Sequence, residues 1–598
     1  MKAIILAAGF GYRMRPLTDN THKTLLEIGN QTIIERILKS LISNGLKDVV
    51  IVTGYRDNEL KSYLSSGFSE LNLQYVHNPR YEETNNIYSL NLAFQSMTID
   101  DDVMLIESDL VYEPSVIQRL LKAKGNNVAL VDKFRSGMDG TVVTVSEGIV
   151  SNIIPPHLQG AEFDFSDKYK SLNIYKFSRD FCNTTFKKLL NYYTNAFDDN
   201  CFYELILGIL IYVQKETIHA EILNGEKWTE IDDPNDLALA KYMFDVDHQL
   251  EVLEHGWGGL WNHDILDFCY IRNMYFPNSS ILAELKNNLT RVIYNYGSRQ
   301  EALNQKLAYF LLFNPKNLNL LNGASQIYPV FQKYLTGKKV LIPTPTFGEY
   351  PRMFGEKHTY SDKVGISTSE IEEKAEQCDA VVFVNPNNPT GSLIETEKIF
   401  DFALHNPRKT ILVDESFIDF SSQPSIITFL EKKPLENIIV IKSLSKILGV
   451  PGLRLGYAYC VNHSFNTILK ESIPIWNMNS LAEYFLEIIL KHRKSLAQSY
   501  VNTIEDRKEF HAALSEVGFF DQVFPSGANF ILAHFRTNTP NAKQIIKLLL
   551  SRFGIYVKDV SHKFGNEGVY LRLAVRLPKE NEYLVKCLKE TVSHSQKG

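Results

Sequence analysis

Residues 2–18 have the sequence KAIILAAGFGYRMRPLT, in which a short apolar run leads directly into a loop with two glycines. The run is typical of a buried strand, and the glycines let the backbone approach a phosphate closely. Arg13, Arg15 and Lys23 follow, and all three can neutralise phosphate charge. This stretch therefore predicts an α/β domain that holds a triphosphate in the loop after its first strand.

The same alternation of apolar runs with helical periodicity continues along nearly the whole chain and predicts parallel sheets flanked by helices. Further strands are predicted at 49–53, 103–106, 205–213, 339–342, 380–384, 410–413 and 438–441. A helix is predicted from Asp233 past Leu253, ending at the glycine-rich run 255–259. Because 598 residues are too many for one core, we predict two domains, 1–250 and 251–598.

Composition narrows the class of protein. The content of 44% hydrophobic and 22% charged residues is that of a globular protein, and the net charge of -6 argues against a nucleic-acid partner. Six cysteines are spaced singly, which predicts reduced thiols rather than a zinc site or disulfides. The apolar run Ala3–Ala8 is too short for a signal core or a membrane span. We therefore expect a cytoplasmic protein without a membrane partner.

Two acidic clusters complete the chemistry of the N-terminal half. LIESD (105–109) ends a predicted strand, and EIDD (230–233) offers a second set of carboxylates. Hard oxygen ligands of this kind hold Mg²⁺ with few protein contacts and leave room for phosphate. Together with the glycine loop, these residues predict a site that binds Mg²⁺ and a phosphate group.

The segments LAAGFGYRMRPLT (6–18) and KTLLEIG (23–29) resemble the signature of the sugar-nucleotidyltransferase superfamily, which includes the phosphocholine cytidylyltransferases. The resemblance covers roughly residues 1–240 and implies a Rossmann-like domain. It implies that Arg13 holds the β- and γ-phosphates, that Lys23 steadies the α-phosphate, and that Asp109 and Asp232 bind Mg²⁺. The implied nucleotide-binding residues are Leu6, Ala7, Ala8, Gly9, Gly11, Arg13, Lys23 and Asn85.

The acceptor segments YEETNNIYSL (81–90), MDGTVV (138–143), YKSLNIY (169–175) and FYE (202–204) resemble those of phosphocholine and phosphonate cytidylyltransferases. Lys170 is a suitable partner for a phosphonate, and Tyr203 with Glu204 suits an ammonium group through cation–π and charge pairing. The resemblance implies CTP as the nucleotide and a small zwitterion as the acceptor. The expected acceptor-binding residues are Asn86, Tyr88, Asp139, Lys170, Tyr203 and Glu204.

The C-terminal half carries NPNNPTG (385–391), VDESF (413–417), SLSK (443–446) and PGLRLGY (451–457). Together these motifs resemble the fold-type I enzymes that use pyridoxal phosphate (PLP), and in particular the class I and II aminotransferases. Within that group they are similar to histidinol-phosphate aminotransferase and threonine-phosphate decarboxylase, over roughly residues 260–595. The resemblance implies a large α/β domain with a small α+β domain, and PLP as cofactor.

The resemblance also implies a role for each residue of that site. Lys446 forms the Schiff base with PLP and moves the substrate Cα proton, and Asp414 pairs with the ring nitrogen. Asn388 reaches the phenolic oxygen of the ring, Phe347 stacks on the ring, and Arg572 binds the substrate carboxylate. The implied phosphate-binding residues are Ala324, Ser325, Ser443, Ser445 and Arg454. Tyr296 resembles a tyrosine that meets the cofactor across a subunit interface, which implies a homodimer. Arg576 is a second candidate for an anion ligand, or a surface charge.

The domain order resembles that of bifunctional phosphonate cytidylyltransferase–transaminases. It implies transamination that gives 2-aminoethylphosphonate, and transfer of CMP from CTP to that phosphonate with release of pyrophosphate. Phe417, however, stands where many aminotransferases have tyrosine, and phenylalanine there also occurs in the decarboxylase branch. The alternative is thus a phosphocholine or phosphoethanolamine cytidylyltransferase fused to an amino-acid O-phosphate decarboxylase. A second alternative is a sugar-phosphate nucleotidyltransferase with an aminotransferase. The amino donor stays open.

Overall fold

The chain folds into two compact units, Met1–Asp264 and Ile265–Gly598. The structure is a computed structural model that describes residues 1–135, 137–160, 162–354, 357–363, 365–536 and 542–595. The predicted domain boundary at residue 250 falls within a helix, Gln249–Gly256, that belongs to the first unit. The predicted glycine-rich run 255–259 overlaps the end of this helix.

The first unit alternates strands and helices. Its strands are β1 (Lys2–Ala7), β2 (Glu27–Ile28), β3 (Gln31–Thr32), β4 (Asp48–Thr53), β5 (Asn72–His77), β6 (Val103–Glu107), β7 (Leu110–Tyr112), β8 (Val128–Lys133), β9 (Val142–Ser146), β10 (Ile149–Ile154), β11 (Tyr169–Phe177), β12 (His219–Ile222) and β13 (Trp228–Glu230). Its helices are α1 (Ile33–Ser43), α2 (Asp57–Ser65), α3 (Asn86–Ser96), α4 (Ser115–Lys122), α5 (Arg179–Phe181), α6 (Lys187–Ala196), α7 (Glu204–Tyr212), α8 (Pro234–Phe244) and α9 (Gln249–Gly256).

A nine-stranded sheet in the order β5-β4-β1-β6-β11-β8-β12-β10-β9 forms the centre of the first unit. β5, β4, β1 and β6 run parallel, and β11 pairs antiparallel with β6. Side chains alternate across β1, so that Ala3 and Ile5 enter one hydrophobic core and Ile4 and Leu6 enter another. The sheet is therefore covered on both faces, and its strand ends carry the polar loops.

The second unit contains the remaining elements. Its strands are β14 (Leu266–Asp267), β15 (Leu318–Asn322), β16 (Val340–Thr344), β17 (Lys357–Ser361), β18 (Ala380–Val384), β19 (Thr410–Asp414), β20 (Ile438–Ser443), β21 (Leu455–Cys460), β22 (Phe520–Val523), β23 (Phe530–Phe535), β24 (Ile555–Tyr556), β25 (Lys558–Asp559) and β26 (Tyr570–Ala574). Its helices are α10 (Ser279–Ile293), α11 (Gln300–Leu311), α12 (Tyr328–Tyr334), α13 (Glu349–Met353), α14 (Thr368–Ala375), α15 (Thr396–His405), α16 (Ile427–Leu430), α17 (Leu444–Ile447), α18 (His463–Ser472), α19 (Ser480–Ile488), α20 (Arg493–Ser515), α21 (Ala542–Phe553) and α22 (Pro578–Ser595).

Seven strands in the order β15-β21-β20-β19-β18-β16-β17 form the large sheet of the second unit. Neighbours from β17 to β20 pair in parallel, whereas β21 is antiparallel to both β20 and β15. A separate antiparallel sheet, β22-β23-β26-β25, forms the smaller part with α20, α21 and α22 around it. Both units are mixed α/β, as the sequence predicts.

Two local predictions are wrong. The apolar run 205–213, predicted to be a strand, forms α7 instead. Ile206, Leu207 and Leu210 are buried on one side of this helix, while Leu205 and Ile209 are each 42% exposed. An unbroken apolar run does not distinguish a buried strand from a helix by periodicity. The helix predicted from Asp233 past Leu253 is interrupted, since a 3₁₀ turn at Val246–His248 separates α8 from α9.

The longest helix of the described chain is α20, with 23 residues. Charged side chains such as Arg493, Lys494 and Glu505 lie along it. Within the described ranges, none of the helices combines the length and the hydropathy that crossing a membrane requires.

Candidate active sites

The glycine loop of the first unit begins where β1 ends at Ala7. Gly11 has a φ of 64°, in the left-handed region, and a Cβ there would come within 3.3 Å of Lys23 Cβ and Thr18 Cγ2. Glycine at this position lets the loop fold tightly against the segment that carries Lys23. Thr18 Oγ1 also donates a hydrogen bond to the carbonyl oxygen of Gly11 over 2.9 Å.

His22, a residue that sequence reasoning missed, joins the end of β1 to the Lys23 turn. Its Nε2 donates to the carbonyl oxygen of Ala7 over 3.1 Å, and its Nδ1 accepts from the Thr24 amide over 3.2 Å. Burial lowers the pKa of this imidazole to about 4. A neutral histidine therefore fixes the loop without adding charge beside the phosphates.

A cavity of about 560 Å³ opens beside this loop and brings most of the predicted nucleotide, metal and acceptor residues together. The predicted residues that line it are Leu6, Ala8, Gly9, Gly11, Arg13, Lys23, Asn85, Asn86, Asp109, Asp139, Lys170, Glu204 and Asp232. The predicted residues that do not line it are Ala7, Tyr88 and Tyr203. Ala7 is buried in β1. The Arg80 guanidinium lies over the Tyr88 ring, 5.3 Å from the ring centroid.

Three carboxylates converge at the part of this cavity that Arg13 and Lys23 line. Asp109, Glu230 and Asp232 each offer an oxygen, and these oxygens lie within 4.8 Å of one another. Lys23 Nζ lies 3.0 Å from Asp109 Oδ2 and 3.5 Å from Asp232 Oδ1, and Arg13 Nη2 lies 2.6 Å from the same Asp232 oxygen. Asp109 Oδ1 is buried without a hydrogen-bond partner among the described residues. This donor set fits a hard divalent cation.

The electrostatics of the cluster follow from its burial. Burial raises the pKa of Glu230 to about 7, and Asp109 and Asp232 contribute further, against the opposing effect of Lys170. Burial by itself would lower the pKa of Lys23, but the negative charges of Asp109 and Asp232 outweigh this effect and raise the pKa. The lysine therefore stays charged beside the acids. The EIDD segment had suggested Glu230 as an acid, but only folding brings it to Asp109.

Lys170 lines the cavity beside Glu230 of the carboxylate cluster. It is 3% exposed, and its Nζ lies 2.9 Å from Glu230 Oε2. Gly140 has a φ of 85°, and a Cβ there would come within 2.8 Å of Lys170 Nζ. The MDGTVV and YKSLNIY segments thus meet at one buried cation, with Asp139 also at the cavity wall.

A second acidic pair lies at the start of α3. Asn86 Nδ2 donates to Glu107 Oε1 over 3.1 Å and approaches Glu204 Oε2 at 3.5 Å, while Asn86 Oδ1 accepts from the Tyr203 amide. Burial raises the pKa of both glutamates. Glu107, a carboxylate of the LIESD segment that was not predicted to bind the acceptor, ends β6 two residues before Asp109. Tyr203 itself is fully buried, and the aromatic ring at the cavity wall is that of Phe202, which is 54% exposed.

The second candidate site lies at the carboxyl ends of the parallel strands in the large sheet. β18 leads into the loop with Asn388, β19 ends at Asp414, and β20 leads into α17, which carries Lys446. These strands are neighbours, so that their ends meet at one edge of the sheet. Burial lowers the pKa of Lys446 to about 8, with Arg572 and Arg454 adding to the effect. A substantial fraction of this amine is neutral at mildly alkaline pH and can act as a nucleophile or base.

Asp414 is fixed by three donors. Ser416 donates from its amide and hydroxyl to Oδ1, over 3.0 and 2.6 Å, and Tyr350 Oη donates to Oδ2 over 2.7 Å. Burial raises the pKa of Asp414, whereas these hydrogen bonds favour the ionised form. Phe347 precedes Tyr350 by three residues, and the two rings pack 6.5 Å apart.

Several predicted phosphate ligands surround Gly323. Arg454 Nη2 donates to Ser325 Oγ over 3.3 Å, and a Cβ at Gly323, where φ is 76°, would come within 2.4 Å of that nitrogen. Ala324 lies so close to β21 that a Cβ at Gly456 would come within 2.4 Å of its amide nitrogen. This cradle of small residues and one guanidinium fits a phosphate.

Other predicted residues have partners within the protein. The hydroxyl of Ser445 is buried and donates to the Leu455 carbonyl over 3.2 Å, and the Ser443 amide donates to Ser416 Oγ. Tyr296 is 82% exposed and stacks on Trp476 with ring centroids 4.7 Å apart. The serine bonds link the SLSK segment to β21 and to the loop after β19, and the Tyr296 ring lies at the surface.

Arg572 connects the site to the smaller sheet. Its Nη1 donates to Asn388 Oδ1 over 3.0 Å and its Nη2 to the Cys269 carbonyl over 2.6 Å, while its Nε is buried without a partner among the described residues. Arg576 instead pairs with Glu580 at 2.9 Å and is 7% exposed, so it is neither a surface charge nor a free anion ligand. The lysine with its lowered pKa, the buried aspartate and the phosphate cradle together fit PLP.

Residues 267–588, more than half of the chain, match the family model of aminotransferase class I and II. The chain belongs to this family. Residues 3–153 match a second model, the MobA-like NTP transferase domain. The predicted fold is therefore confirmed: an N-terminal NTP transferase unit is fused to a fold-type I aminotransferase unit, and the chain is an enzyme of these types. The aminotransferase fold implies PLP.

Similar proteins match either the whole chain or its aminotransferase half. The CMP-5'-(3-aminopropyl)phosphonate synthase of Streptomyces rubellomurinus is 28% identical over 607 residues, 99% of this chain and 95% of that protein. An L-serine phosphate decarboxylase of Sulfurospirillum multivorans is 32% identical over 55% of this chain and 89% of its own length. The crystal structure of histidinol-phosphate aminotransferase from Clostridium acetobutylicum matches with a TM-score of 0.50 and 26% identity, over 55% of this chain and all of that chain.

Proposed function

We propose that this aminotransferase-family protein is a bifunctional enzyme of phosphonate biosynthesis. Its second unit would form 2-aminoethylphosphonate by transamination, and its first unit would transfer CMP from CTP to that phosphonate. The observation that carries the proposal is one cavity lined by both a buried cation, Lys170, and a pair of carboxylates, Glu107 and Glu204. The similarity over nearly the whole chain to the CMP-5'-(3-aminopropyl)phosphonate synthase supports it.

The acceptor fits this cavity by charge. The phosphonate would bind Lys170, which exchanges part of its contact with Glu230 for the substrate oxygens. The ammonium group would bind between Glu107 and Glu204, because its N–H groups can donate to both carboxylates at once. A quaternary ammonium has no such donors, so the pair favours a primary amine over choline.

Transfer would then proceed by in-line attack. A phosphonate oxygen of the acceptor forms a bond to the α-phosphorus of CTP, and the bond from that phosphorus to the bridging oxygen breaks and releases pyrophosphate. Lys23 would stabilise the charge that develops on the α-phosphate, and Arg13 would bind the leaving pyrophosphate. Bound at Asp109, Glu230 and Asp232, Mg²⁺ would neutralise the phosphate oxygens during this step.

The second unit would move an amino group from a donor amino acid to phosphonoacetaldehyde, leaving the donor as a 2-oxo acid. When bound, PLP supplies a sink for the electrons left at the substrate Cα. Lys446 would take and return the Cα proton, Asp414 would pair with the ring nitrogen, and Arg572 would hold the donor carboxylate. Asn388, already oriented by Arg572, would reach the phenolic oxygen.

We also propose a cytoplasmic homodimer that forms through the aminotransferase unit. The exposed Tyr296–Trp476 stack supports this assembly, because two large aromatic rings in contact at a surface are typical of an interface. Sedimentation of the purified chain would test the stoichiometry.

Pyrophosphate release tests the first activity. We would assay CTP, UTP, GTP and TTP against 2-aminoethylphosphonate, phosphoethanolamine, phosphocholine and glucose 1-phosphate, with Mg²⁺ present. We expect turnover with CTP and 2-aminoethylphosphonate, and none with glucose 1-phosphate. Glu107→Gln should weaken the preference for 2-aminoethylphosphonate over its N-trimethyl analogue by about tenfold, because one charged hydrogen bond is lost. A preference for phosphocholine would contradict the proposal.

A second candidate rests on Phe417. This ring is buried and packs edge-on against Phe530 with centroids 5.2 Å apart, where it brings no hydroxyl toward the site. Together with the similarity to L-serine phosphate decarboxylases, this favours decarboxylation of an amino-acid O-phosphate. Incubation with phosphoserine and detection of CO₂ separates the two reactions. Phosphonoacetaldehyde consumption with an amino donor, and no CO₂ from phosphoserine, would retain transamination.

A further inference from the structure

The two oxygens of Asp414 have different partners. Ser416 holds Oδ1 from the neighbouring loop, and Tyr350 in α13 holds Oδ2. Tyr350 is fully buried. Among the described residues, its hydroxyl forms a hydrogen bond with Asp414 and with no other group. Tyr328 and Phe347 pack against its ring with centroids 6.0 and 6.5 Å away, so the direction of the phenol is fixed by packing.

We propose that Tyr350 is a positioning residue that acts through Asp414 on the proton at the ring nitrogen of the cofactor. The inference rests on the proposed binding of PLP. A carboxylate buried away from water would tend to take the pyridinium proton and become neutral. Each hydrogen bond donated to the carboxylate favours the ionised form and so leaves that proton on the ring. Tyr350 supplies this bond on the oxygen that Ser416 does not reach.

The geometry distinguishes Tyr350 from a residue that only fills space. Its ring belongs to an apolar cluster with Tyr328 and Met353, where phenylalanine would pack almost as well. Its hydroxyl, by contrast, contributes to this part of the structure through its 2.7 Å hydrogen bond to Asp414. Loss of the hydroxyl alone should therefore leave the fold and change the charge state that Asp414 prefers.

The test compares two ligands that differ at one atom. PLP has a ring nitrogen, and 1-deazapyridoxal 5'-phosphate has a C–H group in its place. Dissociation constants for both would be measured by fluorescence titration of the full-length cofactor-free protein, Tyr350→Phe and Tyr328→Phe. Tyr328 is the matched control, since it lies in the same cluster and has no bond to Asp414. Thermal unfolding of each variant reports its folding.

We expect Tyr350→Phe to weaken PLP binding by about tenfold, because one hydrogen bond to a charged group is lost. The same variant should bind the deaza ligand as the unmodified chain does, within about twofold, and Tyr328→Phe should resemble the unmodified chain with both ligands. Ser416→Ala removes a hydrogen bond to the other oxygen of Asp414. This variant should likewise bind PLP more weakly and bind the deaza ligand with unchanged affinity.

Equal weakening of both ligands in Tyr350→Phe would overturn the inference, because the tyrosine would then act by packing alone. Unchanged PLP binding would overturn it as well. Failure of the unmodified chain to bind PLP would instead remove the proposed cofactor, and the inference with it.

Discussion

Charge placement decides the chemistry at the scale of single residues. Lys23 lies among Asp109, Asp232 and the glycine loop, which hold its ammonium group within 3.5 Å of two carboxylates. A preorganised cation in a partly buried site stabilises a developing phosphate charge more than a solvated cation does. Lys446 shows the opposite case, where burial and then two neighbouring guanidinium groups lower the pKa of the amine.

Lys23→Met should lower the rate of CMP transfer by about 10²-fold or more, because it removes a charge aimed at the transition state. Pyrophosphate release with CTP and 2-aminoethylphosphonate measures this. Lys39→Met is the matched control, since Lys39 lies on the surface of α1 and pairs loosely with Glu35 at 3.7 Å. A rate for Lys23→Met within about threefold of the control would contradict the role assigned to this lysine.

Lys446 should attach PLP with a pH dependence that reflects its depressed pKa. Only the neutral amine attacks the aldehyde, so in the cofactor-free protein the rate should rise with pH to a midpoint near the pKa of about 8. Arg572→Met removes a nearby positive charge and should move this midpoint upward, whereas the exposed Arg352→Met should not. The change in PLP absorbance as the cofactor attaches, recorded at several pH values, measures the rate. Equal midpoints in the three proteins would show that Arg572 does not act on Lys446.

At the scale of secondary structure, α7 is the element where pattern and fold disagree. Its sequence, ELILGILIY, is apolar after the initial glutamate, and only packing decides which side is covered. Leu207 is fully buried and Leu205 is 42% exposed, although they are two residues apart. In a strand these two side chains would share a face, whereas in a helix they do not face the same way.

Leu207→Ala should therefore destabilise the first unit by about 2–5 kcal/mol, and Leu205→Ala by less than about 1 kcal/mol. Thermal unfolding of the full chain measures both, with the transition of the first unit recognised by its upward shift with CTP and Mg²⁺. Equal losses for the two leucines would support the strand that the apolar run had suggested.

At the scale of the whole molecule, each unit has its own hydrophobic cores and its own candidate site. The cores around β1 consist of residues before 250, and those around β19 and β20 consist of residues after 270. Units of this kind fold and function largely on their own. The two chemistries should then respond separately to substitution.

Lys446→Ala should abolish PLP-dependent chemistry and leave CMP transfer within about twofold of the unmodified chain. Lys23→Met should do the opposite, with PLP absorbance intact. Assaying both activities in both variants, under the same conditions, measures the coupling. A large loss of CMP transfer in Lys446→Ala would indicate that the units depend on each other.

The α/β class and the order of the two units could be predicted from the sequence, which also proposed most residues of both candidate sites. Short apolar runs that end in glycine or polar clusters identify strands and their functional ends, because those patterns depend on neighbours along the chain. Glu107, Glu230, His22 and Tyr350 could not be assigned in this way. Their roles depend on partners far away in sequence, such as Asp109 for Glu230 and Asp414 for Tyr350. The tertiary structure alone decided these contacts, and also that α7 is a helix, because burial and charge pairing arise only where separate segments meet.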